Sequence, residues 1–172
     1  MDKKRASQQE HVTFNSLINR MEIFRVNNTQ GNLIFDLFDQ YRVFYKQESD
    51  IKLAEDFIQA RLDNNESVIF VAVINDKSKP VGFTQLYPKY SSARAVKNWI
   101  LNDLYVAKEH RKQGIGEKLI KMAMAFAKEN NAKFVELSTA IDNYTAQSLY
   151  EQIGFEIQNP EIDFYTYRIS LT

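Results

Sequence analysis

The chain has 172 residues, 44% hydrophobic and 26% charged, with 22 basic side chains balancing 22 acidic ones. That composition suits one globular domain with a sizeable core and lacks the basic footprint of a nucleic-acid binder. With no cysteine and only His11 and His110 as histidines, disulfides, thiolate metal sites and cysteine nucleophiles are excluded, and no metal site is expected.

Residues 1–20 are polar and read as an N-terminal extension outside the main fold, which spans 21–172. Lys3, Lys4 and Arg5 lead into no apolar stretch, so no signal peptide is expected. No apolar run is long enough to span a membrane, and a cytoplasmic location is the expectation. Met21 to Val26 reads as a first strand. Leu33, Ile34, Leu37, Phe38 and Tyr41 then recur at helical spacing. Ser49 or Asp50 can cap a second helix running to about Asn64. Ser67 to Ile74 is a nearly continuous β-branched and aromatic run, which predicts a strand buried on both faces. Asn75 to Pro80 reads as a turn, Val81 to Tyr87 as the returning strand, and Pro88 to Arg94 as a loop.

Val96 to Val106 is long enough for a central strand. Gly114 to about Asn130 is the clearest helix, with Ile115, Leu119, Met122 and Phe126 on one stripe. Lys133 to Ser138 reads as a short strand. Asp142 is the expected cap of a last helix carrying Ala146, Leu149, Tyr150 and Ile153, ended by Gly154. Asp163 to Leu171 alternates like a strand. The order β-α-α-β-β-β-α-β-α-β-β describes a mixed α/β sheet, with antiparallel hairpins first and a parallel β-α-β crossover after them.

The chemistry concentrates where Leu104-Tyr105-Val106 ends a strand and Arg111-Lys112-Gln113-Gly114-Ile115-Gly116 opens a helix. The first N–H groups of a helix have no partner inside it, and the helix dipole there favours anions. Glycine lets a phosphate approach the backbone with no Cβ in the way. Together these make a main-chain anion cradle, to which Arg111 and Lys112 add charge. A short Gly-x-Gly is weak evidence alone, and a plain helix start beside a solvated charge cluster is the competing reading. The loop is neither a nucleoside-triphosphate P-loop nor a dinucleotide fingerprint, because it lacks a Gly-Lys-Ser/Thr ending and a third glycine.

With this loop, the strand Leu101-Asn102-Asp103-Leu104-Tyr105-Val106, and Asn143-Tyr144-Thr145-Ala146-Gln147-Ser148-Leu149-Tyr150 closed by Gly154-Phe155, the chain resembles the GNAT superfamily of N-acetyltransferases. The resemblance runs from about Met21 to Leu171. It implies the GNAT fold, with two central parallel strands splayed apart to admit the cosubstrate acetyl-CoA. By that resemblance the pyrophosphate sits on Arg111, Lys112, Gln113, Gly114, Ile115 and Gly116, with Glu117 in the first helical turn. The pantetheine arm pairs like an added strand with main-chain groups of Leu104, Tyr105 and Val106, and Asn143 lies near the cofactor. It implies direct attack of a neutral amine on the thioester, with Tyr150 as the acid that protonates the departing thiolate. A homodimer, formed through the C-terminal strands, is also what the resemblance suggests.

Each residue has a plainer reading. Tyr150 on an apolar stripe also suits simple packing, and Asn143 also suits helix capping. Asp103 is the candidate base, acting through a water. A carboxylate inside an apolar strand is costly unless it is hydrogen-bonded, paired or facing a wet cleft. Strict alternation puts it on the face of Trp99, Leu101 and Tyr105, unless a bulge intervenes. Glu136 is the second candidate base. Asp36, Asp39, Tyr41, Phe44, Tyr45 and Glu48 fit a pocket for a cationic amine, and the strand from Trp99 to Val106 resembles the polyamine, diamine and histone-tail branch. The expected partner is a small-molecule amine, with no nucleic acid and no membrane. The alternatives are a protein lysine or N-terminal acetyltransferase, and a CoA-binding regulatory module without turnover.

Overall fold

Val68–Ile74 (β2) is apolar and buried at every position, as a strand covered on both faces must be. It lies second in a five-stranded sheet of order β1-β2-β3-β4-β5, with β1 at Glu22–Arg25, β3 at Lys79–Ser91, β4 at Val96–Val106 and β5 at Val135–Glu136. The first four strands are antiparallel neighbours, and β5 runs parallel to β4. The computed structural model describes residues 21–74, 79–158, 165 and 167–171; the expected N-terminal extension lies outside them. The described residues fall into two compact units, the first ending at Ser138 and the second starting at Thr139.

In the first unit, helices α1 (Phe35–Phe44) and α2 (Ile51–Asp63) cover one face of the sheet. Leu37, Phe38, Ala54, Ile58 and Leu62 join Ile69, Val71, Val73, Phe83 and Tyr105 in one core cluster. Helix α3 (Ile115–Glu129) covers the other face. Its Phe126 meets Phe70 and Trp99 edge-on, at 5.8 and 5.1 Å between ring centroids. Phe70 and Val71 are neighbours on β2, so their opposite partners follow from the period of two.

The α1–α2 connection is held by Asp39. This buried carboxylate accepts from Ser49 Oγ at 2.6 Å, Asp50 N at 2.9 Å and Arg42 Nη1 at 3.0 Å. These bonds, the one from Ser49 first, hold its pKa below the ordinary 3.8. Asp50 then caps α2, accepting from Leu53 N.

The second unit contains α4 (Tyr144–Ile153). Its cap is Asn143, whose side chain accepts from Ala146 N at 3.3 Å; the expected cap, Asp142, lies one residue outside. Gly154 ends the helix at φ 106°, a left-handed conformation that glycine adopts without a Cβ penalty.

Three further expectations change. β3 continues to Ser91 where a loop was expected from Pro88, because β4 stays paired with it as far as Val96. Between Lys133 and Ser138 only Val135 and Glu136 form a strand. The alternating tail forms no strand at its described residues, where Tyr165, Tyr167, Ile169 and Leu171 are 82% or more exposed. Alternation supplies a face, but a strand also needs a ladder partner.

Candidate active site

Helix α3 starts from an open loop. Gly114 is its N-cap at φ 75°, and no side chain caps the end. The first intrahelical bond runs from Lys118 N to Gly114 O, so the N–H groups of Ile115, Gly116 and Glu117 have no partner within the helix. A Cβ built on Gly114 would meet nothing within 4 Å. The space beside the Gly114 α-carbon is therefore open, which leaves room for an anion near the uncapped donors. Lys112, at φ 59°, is a second left-handed residue of this turn. For a residue with a side chain that costs roughly 1–2 kcal/mol, strain of a kind that concentrates at ligand sites. Glu117 pairs with Lys121 at 2.6 Å, and Gln113 Nε2 reaches back to Glu109 O at 3.4 Å.

Beside this loop, the edge of β4 beyond Ile100 has no strand partner among the described residues. β5 pairs with β4 only at Trp99 and Ile100, so the parallel partner ends well before Val106. Ala107 N donates to Val81 O, and Gly82 stands opposite Val106. In that register Leu104 and Val106 occupy non-hydrogen-bonded positions of the β3–β4 ladder. Their N–H and C=O groups consequently point to the open edge, whereas those of Tyr105 turn toward Phe83. Of the three strand residues expected to pair with the pantetheine arm, the main-chain geometry suits Leu104 and Val106. The Val106 carbonyl accepts from Arg111 Nε at 2.9 Å. The Arg111 guanidinium lies over Phe44 and Tyr105, 5.4 and 5.5 Å from their ring centroids.

A bulge decides where Asp103 points. Gln85 pairs with Asp103, but the next residue of β3, Leu86, pairs with Leu101. Asn102 is the extra residue, and side chains exchange faces across it. Trp99 accordingly packs on Phe126 of α3, while Tyr105 packs on Tyr41 of α1. Strict alternation thus fails here: Asp103 shares the α1 face with Tyr105, Phe83 and Gln85, not with Trp99.

Asp103 is only 3% exposed. Burial pushes its carboxyl above the ordinary 3.8, against hydrogen bonds from Tyr41 and Asn102 that pull it down. The Asn102 bond is 3.0 Å. Tyr87, also on this face, is pushed up to about 12, first by burial and then by the negative charge of Asp103. Its phenol therefore remains a proton carrier at neutral pH.

Sequence reasoning missed Tyr87 and Gln85. Gln85 is fully buried on β3, but that burial is set by the strand opposite and is not marked in its own sequence. The amine-pocket residues divide. Asp39 is committed to the α1–α2 connection, and Tyr41 packs among Phe38, Phe83 and Tyr105. Phe44, Tyr45, Asp36 and Glu48 are exposed. Glu136 is ion-paired to Lys89 at 2.5 Å, beside Ile100 in the middle of β4. In the second unit, Asn143 engages its side-chain carbonyl as the cap of α4. Tyr150 is half-buried, with its ring 6.0 Å from that of Phe155. Among the described residues no helix is long and apolar enough to cross a membrane, and no group of three metal-ligating side chains occurs.

Known proteins share the sequence pattern and the fold. The description "Acetyltransferase (GNAT) family" matches residues 33–155. An uncharacterized N-acetyltransferase of Bacillus subtilis (strain 168), YhfO, is 45% identical over 136 residues, 79% of this chain and 90% of its own. A probable acetyltransferase of solved crystal structure is 38% identical, with a TM-score of 0.79 over 87% of this chain and 98% of that one. An aminoglycoside N-acetyltransferase solved in complex with CoA shares the fold at 18% identity and a TM-score of 0.70, over 87% of this chain and 95% of that one. With the family match running through both the open loop and the free strand edge, the chain belongs to the GNAT family of acetyl-CoA-dependent N-acetyltransferases.

Proposed function

We propose that the chain acetylates a small primary amine, of the diamine or polyamine kind, by direct attack on acetyl-CoA. The observation that carries this reading is Asp103, a buried carboxylate brought by a bulge onto the aromatic α1 face, next to the free edge of β4. Acetyl-CoA, held at the uncapped start of α3 and along Leu104 and Val106, supplies the activated acetyl group. The acceptor arrives as an ammonium and must lose a proton before it has a lone pair to attack with. Asp103 is the base in this reading, since a carboxylate raised above its ordinary range binds a proton better near neutral pH. Tyr150 is the acid, by its place in the family pattern. Exposed Asp36 and Glu48, with Phe44 and Tyr45, favour a cationic substrate, because carboxylates and aromatic faces both attract ammonium groups. The aminoglycoside acetyltransferase lends analogy of fold alone.

Incubation with acetyl-CoA and a panel of spermidine, 1,4-diaminobutane and a lysine peptide, read as thiol release, tests the substrate class. Faster release with the polyamines supports the reading. Preference for the peptide favours a protein acetyltransferase, and no release with any amine favours a CoA-binding module.

The base has its own test. The wild-type rate is expected to fall on acidification, with an apparent pKa above 3.8, as Asp103 takes up a proton. Asp103→Asn should lose roughly 100-fold in kcat and that acidic limb together. An unchanged limb in the variant would remove Asp103 from the role.

A further inference from the structure

Resting on the reading of Asp103 as base, we propose that Gln85 is a positioning residue that holds the water through which Asp103 deprotonates the acceptor amine. Gln85 is fully buried on β3, directly opposite Asp103 on β4. Directly opposed side chains of an antiparallel pair share a face, with Cβ atoms about 5 Å apart. Gln85 Nε2 donates to Ser67 Oγ at 2.8 Å, while Gln85 Oε1 is buried without a protein partner. Leaving a buried acceptor unpaired costs on the order of 1–3 kcal/mol. A buried water with two or more polar partners is the usual way to avoid that cost.

Asp103 supplies the second partner. At 3% exposure it lies too deep to meet an amine directly, so its proton must come through an intermediary. Tyr41 from α1, Tyr87 from β3 and Tyr105 from β4 also face this space, with Arg61 and Glu66 acting on Tyr87 from the end of α2. Asp103 is the carboxylate set directly opposite Gln85, and it is the proton acceptor.

The step balances. The ammonium N–H bond breaks and its electron pair stays on nitrogen as the attacking lone pair. The proton joins the water oxygen, and a different proton of that water passes to an Asp103 oxygen. Gln85 Oε1 accepts the water's remaining O–H, which turns an oxygen lone pair toward the amine.

Gln85→Met keeps the side-chain volume and removes the acceptor. With spermidine at pH 7 its kcat should fall by roughly a few tens of fold, less than the 100-fold or more expected for loss of the base itself, while the KM for acetyl-CoA is unchanged. The deficit should shrink to about threefold or less as the pH nears the amine's own pKa, near 10 for an alkylammonium, because a neutral amine needs no relay. A loss independent of pH would mean a structural role and overturn the proposal, as would a kcat within twofold of wild type at pH 7. Asp103→Asn separates the two ideas: if it keeps the wild-type profile, base and relay both fall. If it is impaired while Gln85→Met is not, the role of Gln85 alone is overturned. A crystal structure of the wild-type chain gives a readout free of substrate. One ordered water within hydrogen-bond reach of both Gln85 and Asp103 is expected, and side chains closing that space would overturn the proposal.

Discussion

Replacing Tyr150 by phenylalanine is expected to lower kcat roughly 100-fold, the usual scale for losing a general acid, while acetyl-CoA affinity stays within about twofold. The substitution removes one oxygen. The ring keeps its edge contact with Phe155 in the second unit, and a thermal melt of the variant checks that the fold is kept. What changes is the proton available to the departing thiolate, which must otherwise come from water. Turnover measured by thiol release, beside acetyl-CoA binding by calorimetry, separates the two effects. An unchanged kcat in Tyr150→Phe would return this side chain to plain packing.

Gly114→Val should weaken acetyl-CoA binding tenfold or more, with a much smaller effect on folding. Gly114 sits at φ 75°, and a β-branched residue there is a genuine outlier. Forcing a side chain into the left-handed region costs roughly 1–2 kcal/mol, which the free loop can shed by relaxing but the CoA-bound loop must bear, and about 1.4 kcal/mol is already tenfold in affinity. The added side chain would clash with no protein atom near its Cβ, where the space is open. It would instead stand where the loop must admit a phosphate. A calorimetric titration checks the affinity and a thermal melt checks the fold. Full affinity in the variant would argue that the diphosphate lies elsewhere.

Much of this architecture was readable from residue pattern, for identifiable reasons. The run from Val68 to Ile74 has no other use than a buried strand. The helix after Gly114 declared itself through Ile115, Leu119 and Phe126 at helical spacing. The pieces that escaped depend on what lies across the sheet. The length of β3 past Pro88 is set by β4, not by its own propensity. The bulge at Asn102 has no local signature. A single extra residue in the ladder reversed the faces of Asp103 and Tyr105 relative to Trp99, which no period of two could reveal.

Side-chain commitments were hidden in the same way. Asp39 looked like an amine-binding carboxylate, but Ser49, Asp50 and Arg42 occupy it. Arg42 meets it within α1, but Ser49 and Asp50 reach it only after the α1–α2 connection has folded. Gln85 was silent because an amide in a strand gives no pattern until its opposite number is known to be a carboxylate.

On this reading, main-chain amides at the start of α3 and along the open edge of β4 bind the acyl donor. A nitrogen–proton correlation spectrum recorded during titration with CoA tests it residue by residue. The amide signals of Gly114, Ile115, Gly116 and Glu117, together with Leu104 and Val106, should shift and saturate along one common binding curve. If those signals stay in place while CoA binds and moves others, the cradle is in the wrong place and the acetyl-transfer account built on it fails.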